Sequence, residues 1–174
     1  MMVLVMGGSA SGKSGWAEAE AVRLAGTGPL CYLATLSPDG PGNDTIIRNH
    51  RRRREGKGFV TVEAERNIDR LKLPEPGKTT VLLECLSSLL ANEMFGGTDC
   101  KGVKAPEKVI SEVLSLSGRV RHLVIVSDLI FSDGISYEKE TAAYIRNLGT
   151  VNAAILKESD RAAEIVCTCP VYLK

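Results

Sequence analysis

No stretch of the sequence stays apolar over the ~20 residues that a membrane-spanning helix needs. A charge of one sign is also missing. The 22 Lys+Arg against 21 Asp+Glu leave a formal net charge of +1, so no overall field draws in nucleic acid or an acidic membrane. Histidine is scarce, with His50 and His122 the whole supply of 2. The 5 cysteines are Cys31, Cys85, Cys100, Cys167 and Cys169. Only the last pair lies close together, so a zinc site lacks further ligands at suitable spacing. The expectation is reduced, mostly buried thiols in a cytoplasmic protein, with Cys167 and Cys169 on one face of a strand. Residues 1–6 are apolar but short. They run straight into glycine, with no basic stretch before them and no cleavage pattern, so no signal peptide is expected.

What is present suits a globular enzyme. A chain of 174 residues with 44% hydrophobic and 25% charged residues fits one domain, 1–174, with a full core. Apolar runs at 3–6, 30–34, 81–83 and 123–126 alternate with helix-like segments at 13–24, 45–55, 86–95, 106–116 and 137–158. A short β-branched run covers 59–62, one or two helical turns are expected at 67–71, and 165–169 and 171–173 read as strands. Loops are expected at 37–43 and 96–105. Continuously apolar strands separated by helices indicate a mostly parallel sheet covered on both faces. The expected fold is therefore a three-layer α/β P-loop nucleoside triphosphate hydrolase fold.

The chemistry begins directly after the first apolar run. Gly7-Gly8-Ser9-Ala10-Ser11-Gly12-Lys13-Ser14 fits G-x-x-x-x-G-K-[ST] in full. Small residues let the backbone wrap phosphates with its N–H groups pointing inward, and the helix that follows aims its positive end at the same place. Lys13 is placed to contact the β- and γ-phosphates of ATP or GTP, and the Ser14 hydroxyl to ligate Mg²⁺. Such a site needs a carboxylate at the C-terminal end of a neighbouring strand. Glu84 after 81–83 is the first candidate, for metal or proton, and Asp128 after 123–126 the second.

His50 lies among Arg48, Arg51, Arg52, Arg53, Arg54 and Lys57. Three readings are open for this segment. It is a solvated helix face, a nucleic-acid contact, against which the missing aromatics and the near-zero net charge argue, or one wall of a triphosphate site. On a helix Ile47, His50, Arg51 and Arg54 share a face. Arginines there can hold phosphate oxygens bidentately, and a neutral imidazole has a lone pair for phosphorus. His122, at a strand start, reads as structural.

Taken together, these segments resemble the bifunctional adenosylcobinamide kinase/adenosylcobinamide-phosphate guanylyltransferase family of cobalamin biosynthesis. The likeness runs through the P-loop at 7–14, Tyr32-Leu33-Ala34-Thr35, Ile46-Ile47-Arg48-Asn49-His50-Arg51, Val62-Glu63, and Leu82-Leu83-Glu84-Cys85-Leu86 with Asn92. It implies a homotrimer that phosphorylates the aminopropanol hydroxyl of adenosylcobinamide with ATP or GTP. It also implies that GMP passes from GTP to His50 and on to the corrinoid phosphate. Lys13, His50 and Glu84 are then catalytic, Ser14 and Glu84 handle Mg²⁺, and Arg51, Arg54 and Glu63 join residues 7–14 around the nucleotide. The chain departs from the family pattern at Ala10 and Ile46, where arginines are usual, at Ser87 for threonine, and at Asp128-Leu129 for an Asn-Glu pair. The other readings are a P-loop kinase of another small hydroxyl metabolite without the guanylyl step, or a nucleotide-binding regulatory protein.

Overall fold

The computed structural model describes residues 1–37, 43–97, 102–130 and 134–174, with the side chains of residues 44, 46 and 103 outside the description. Most of the expected 37–43 loop, Cys100 and residues 131–133 therefore lie outside the described residues.

Alternation along the strands builds two cores on one sheet. β1 (Met2–Gly7) sends Met2, Leu4 and Met6 to one face, and Val3 and Val5 to the other. β4 (Thr80–Glu84) and β5 (His122–Asp128) divide in the same way, with Val81, Leu83, Leu123 and Ile125 on the first face, and Leu82, Val124 and Val126 on the second. The first face is covered by α3 (Leu86–Phe95), α4 (Ala105–Arg119) and α5 (Lys139–Glu158), through residues such as Leu89, Leu90, Val109, Val113, Leu148 and Ile155. The second is covered by α1 (Lys13–Ala25), whose Ala17, Ala21 and Ala25 are spaced to lie flat on the strands. Burial on both sides explains why these strands read as continuous apolar runs.

β2 (Leu30–Ala34), β3 (Phe59–Glu63), β6 (Arg161–Val166) and β7 (Cys169–Tyr172) complete a 7-stranded sheet of order β3-β2-β4-β5-β1-β6-β7. Every pairing is parallel except β6 with β7. This is the three-layer, mostly parallel P-loop fold that the sequence implied. The parallel register brings the ends of five strands to one edge: Glu63 lies beside Ala34, Ala34 beside Glu84, Glu84 beside Val126, and Asp128 beside Gly7. α2 (Asn43–Arg54) crosses above that edge on the α1 side, where Arg54 and His50 reach Tyr32 of β2.

Cys167 and Cys169 do not share one face of a strand, contrary to expectation. Residues 165–169 are not one strand: β6 ends at Val166 and the chain turns through Cys167 (φ 46) and Thr168 (φ 69) before β7 starts. Two successive left-handed residues make a hairpin turn whose twist matches its strands. Cys167 therefore sits in the turn, Cys169 begins the antiparallel partner, and both are exposed. Among the described residues Cys31 is buried and Cys85 half-buried, so the thiols are not mostly buried either. No helix among the described residues is long and apolar enough to cross a membrane.

Candidate functional site

A cavity of about 880 Å³ opens at the shared strand edge, lined by Ser9–Ser14 on one side and by His50, Arg51 and Arg54 of α2 on another. Glu63, Glu84 and Asp128 also line it. The motif residues split in two. Ser9, Ala10, Ser11, Gly12, Lys13 and Ser14 face the cavity, whereas Gly7 is buried beneath them and Gly8 is half-buried.

The cradle owes its shape to backbone that few side chains tolerate. Gly12 has φ +92, and a Cβ there would stand 2.9 Å from the Thr168 Cγ2. The Thr168 N–H donates to the Ser11 carbonyl at 2.8 Å. The hairpin turn between β6 and β7 thus braces the phosphate loop from outside. Lys13 folds across the cradle, donating to the Gly8 carbonyl at 3.0 Å and pairing with Asp128 Oδ1 at 2.9 Å.

The topology explains that pairing. β5 lies between β1 and β4, so the carboxylate closest to the P-loop lysine is Asp128, and Glu84 stands one strand further on. Asp128 also accepts a hydrogen bond from the Ser87 hydroxyl. Of the two carboxylates that sequence reasoning put forward, Asp128 is the one in contact with the cradle.

Glu84 faces His50 instead. It is buried, its Oε1 lies 3.8 Å from His50 Nδ1, and its Oε2 is buried without a hydrogen-bond partner among the described residues. Tyr32 Oη lies 2.9 Å from the same His50 nitrogen. Burial of His50 holds its pKa below the ordinary 6.5, helped by the charges of Arg53 and Arg54 and opposed by Glu84. The ring is therefore neutral at pH 7, the state in which it carries a lone pair.

The arginines fare differently from one another. Arg51 pairs with Glu63 at 2.8 Å, and both side chains are well exposed, so the bond is weak and open to exchange for a phosphate. Arg54 is buried, with its guanidinium carbon 3.3 Å from the centroid of the Tyr32 ring. Its Nη1 has no hydrogen-bond partner among the described residues, and it lines the cavity. Arg53 and Lys57 turn to the fully buried Glu18 of α1, with Lys57 Nζ 2.6 Å from Glu18 Oε2. That pair fastens the end of α2 to the domain. His122 opens β5, apart from the cavity lining.

Three residues that shape the site had no role assigned from sequence, although Tyr32 and Thr35 lie in the family-like segment 32–35. Tyr32 was legible as a core residue of β2, and its hydroxyl partner comes from an element 18 positions away. Thr35 joins the ends of β2 and β4: its Oγ1 donates to the Cys85 carbonyl at 2.7 Å and accepts from the Cys85 N–H at 2.8 Å. Thr168 reaches the cradle from the turn after β6, next to β1 in the sheet but distant from it in sequence.

A Mg²⁺ ion suits this donor set only together with a nucleotide. Ser14, Asp128 and Glu84 offer oxygen ligands, with Glu84 Oε2 unpartnered. Among the described residues no group of three or more His, Cys, Asp or Glu side chains converges on one point. Mg²⁺ in such sites completes its shell with phosphate oxygens and water rather than an all-protein cage.

Comparison with known proteins agrees with this geometry. The bifunctional adenosylcobalamin biosynthesis protein CobU of Escherichia coli (strain K12) is 27% identical over 188 residues, covering 100% of both chains. Among solved structures, a prototypical ATPase from the type III secretion system of pathogenic bacteria superposes with a TM-score of 0.51 at 12% identity, over 94% of this chain and 51% of that one. This chain thus spans about half of that structure, and the likeness is one of fold. The flagellar accessory protein FlaH from Methanocaldococcus jannaschii gives a TM-score of 0.47 at 8% identity, over 94% of this chain and 70% of that one. The model of the cobinamide kinase / cobinamide phosphate guanyltransferase family matches residues 3–173. With that match running through cradle, helix α2 and every strand of the sheet, the chain belongs to this family.

Proposed function

We propose that this protein phosphorylates the hydroxyl of adenosylcobinamide with ATP or GTP and transfers GMP from GTP to the resulting phosphate through a guanylyl-His50 intermediate. The observation that carries the reading is that the phosphate cradle and a neutral histidine share one cavity. A triphosphate gripped by the backbone N–H groups of 9–14 and by Lys13 has its phosphate chain within the space that His50 borders.

Each residue then has a task. Lys13 exchanges Asp128 for phosphate oxygens and offsets their charge. Asp128, once released, and Ser14 would hold Mg²⁺, whose charge would screen the phosphates. Arg51 leaves the exposed Glu63 pair for the triphosphate, and its loss of a weak bond costs little. Glu84 stands behind His50, where its charge offsets the positive ring that forms when the imidazole bonds to phosphorus. Assembly as a homotrimer belongs to the same proposal and is read by sedimentation equilibrium.

The test is incubation with GTP labelled at the α-phosphate. Acid-labile, base-stable label on the wild-type chain that disappears in His50→Ala is the expected result. Phosphoryl transfer to adenosylcobinamide with no label on the protein leaves a kinase alone, and nucleotide binding with neither reaction leaves a regulatory protein.

A further inference from the structure

The proposed guanylyl transfer asks two things of His50: that its neutral ring carries the proton on one chosen nitrogen, and that the ring does not turn. Among the described residues no hydrogen bond from α2 to the His50 ring supplies either: the hydroxyl bonded to its Nδ1 belongs to Tyr32. The supply comes from β2 and β4.

Tyr32 is 2% exposed and held on two sides. The Arg54 guanidinium lies 3.3 Å over its ring, and Phe59 meets it edge-on with centroids 6.1 Å apart. Its hydroxyl, 2.9 Å from His50 Nδ1, is the one polar atom of an otherwise apolar, locked side chain. The Glu84 carboxylate lies beside the same point, with Oε1 3.8 Å from Nδ1. Two arrangements of hydrogens are possible. If the phenol donated to Nδ1, the hydroxyl oxygen would turn its lone pairs on the Glu84 carboxylate, a repulsive contact in a buried place. If Nδ1–H donates to the phenol oxygen, the phenol proton is free to face Glu84, and every dipole points toward the negative charge.

We infer that Tyr32 is a positioning residue for the transfer: with Glu84 behind it, its hydroxyl fixes His50 as the Nδ1–H tautomer and leaves the Nε2 lone pair for the nucleotide. Nε2 then attacks the α-phosphorus of GTP. The N–P bond forms, the bond from that phosphorus to the bridging oxygen breaks, and pyrophosphate departs with the electron pair. The ring becomes cationic and keeps its Nδ1 proton, bonded to Tyr32 and balanced by Glu84. When an oxygen of the corrinoid phosphate attacks the same phosphorus, the N–P bond breaks and its electron pair returns to Nε2. No proton needs to leave Nδ1 at any stage.

This inference rests on the guanylyl-His50 reading, and two measurements separate the two. The first is the nitrogen NMR spectrum of protein labelled with ¹⁵N-histidine, in which only His50 and His122 contribute. The neutral wild-type His50 should show Nδ1 protonated and Nε2 bare, and Tyr32→Phe, which keeps the ring and its stacking, should lose that preference. A wild-type His50 protonated on Nε2 overturns the inference without any variant. The second is the single-turnover rate of His50 labelling from α-labelled GTP at saturation. Tyr32→Phe should slow it on the order of 100-fold, the scale of a misplaced nucleophile. Wild-type labelling at the same rate in Tyr32→Phe removes Tyr32 from the mechanism and leaves the intermediate standing. Absence of label on the wild-type chain, or its persistence in His50→Ala, instead removes the intermediate.

Discussion

Gly7 and Gly8 open the same motif, and the structure assigns them opposite tolerances to a single methyl group. A Cβ on Gly7 would lie 2.5 Å from Ser11 Oγ, 3.3 Å from Ser11 Cβ and 2.8 Å from the Ile165 carbonyl oxygen. A serine hydroxyl can rotate away, but the carbonyl belongs to β6, which is paired with β1 from Arg161 to Glu164, directly before Ile165. Relief therefore demands a shift between two central strands. Overpacking of this kind costs about 1–3 kcal/mol. In a domain of this size each kcal/mol lowers Tm by about 2–4 °C, so Gly7→Ala should melt about 2–12 °C below wild type. Around Gly8 nothing lies within 4 Å of an added Cβ, and Gly8→Ala should change stability by no more than about 0.5 kcal/mol. Thermal unfolding followed by circular dichroism without nucleotide separates the two variants. Equal melting temperatures for both would refute the claim that the cradle is packed against β6 through Gly7.

Other outcomes follow from the site. Lys13→Ala removes charge-assisted hydrogen bonds of about 1.5–3 kcal/mol each, so GTP affinity measured by titration calorimetry should fall at least ~10-fold, and unaltered affinity would contradict the cradle. Glu84→Gln keeps the size of the side chain but not its charge; it should bind GTP near normally and slow both labelling and transfer, and wild-type turnover would remove Glu84 from the chemistry. Because burial holds the His50 pKa below 6.5, the reactive neutral ring should persist through the pH at which an ordinary histidine is half protonated. Labelling rate should accordingly fall only below pH 6.5, and a half-loss above that value would oppose the assignment. Arg54→Lys exchanges a stacked planar cation for a point charge and should cost about 1–2 kcal/mol in urea unfolding.

The parts of the site that were legible in the sequence are those written in consecutive residues. The P-loop declares itself because backbone, lysine and serine all come from positions 7–14, between a strand and a helix. Glu84 was legible because a carboxylate closing an apolar run sits at a strand end. Its nearness to His50 and the capture of Lys13 by Asp128 were not, since the first depends on β4 pairing with β2 and the second on β5 entering between β1 and β4, an order that adjacency in sequence does not encode. The hairpin turn was misread for a local reason. Cys167 and Thr168 both adopt positive φ, and neither is among the Gly, Asn or Asp residues that announce such a turn. The apolar residues before and after it then read as one uninterrupted strand.

That turn has a consequence for how the molecule is made. The glycines of the cradle are synthesised well before Thr168, yet the amide that holds Ser11 in place belongs to Thr168. A polypeptide emerging from the ribosome can pair β1 with nothing until β5 exists, and cannot brace its cradle until β6 has folded back beside it. On the proposed function, competence to hold a triphosphate should therefore wait for β6 and its turn, and the nucleotide should recognise only chains in which both have docked.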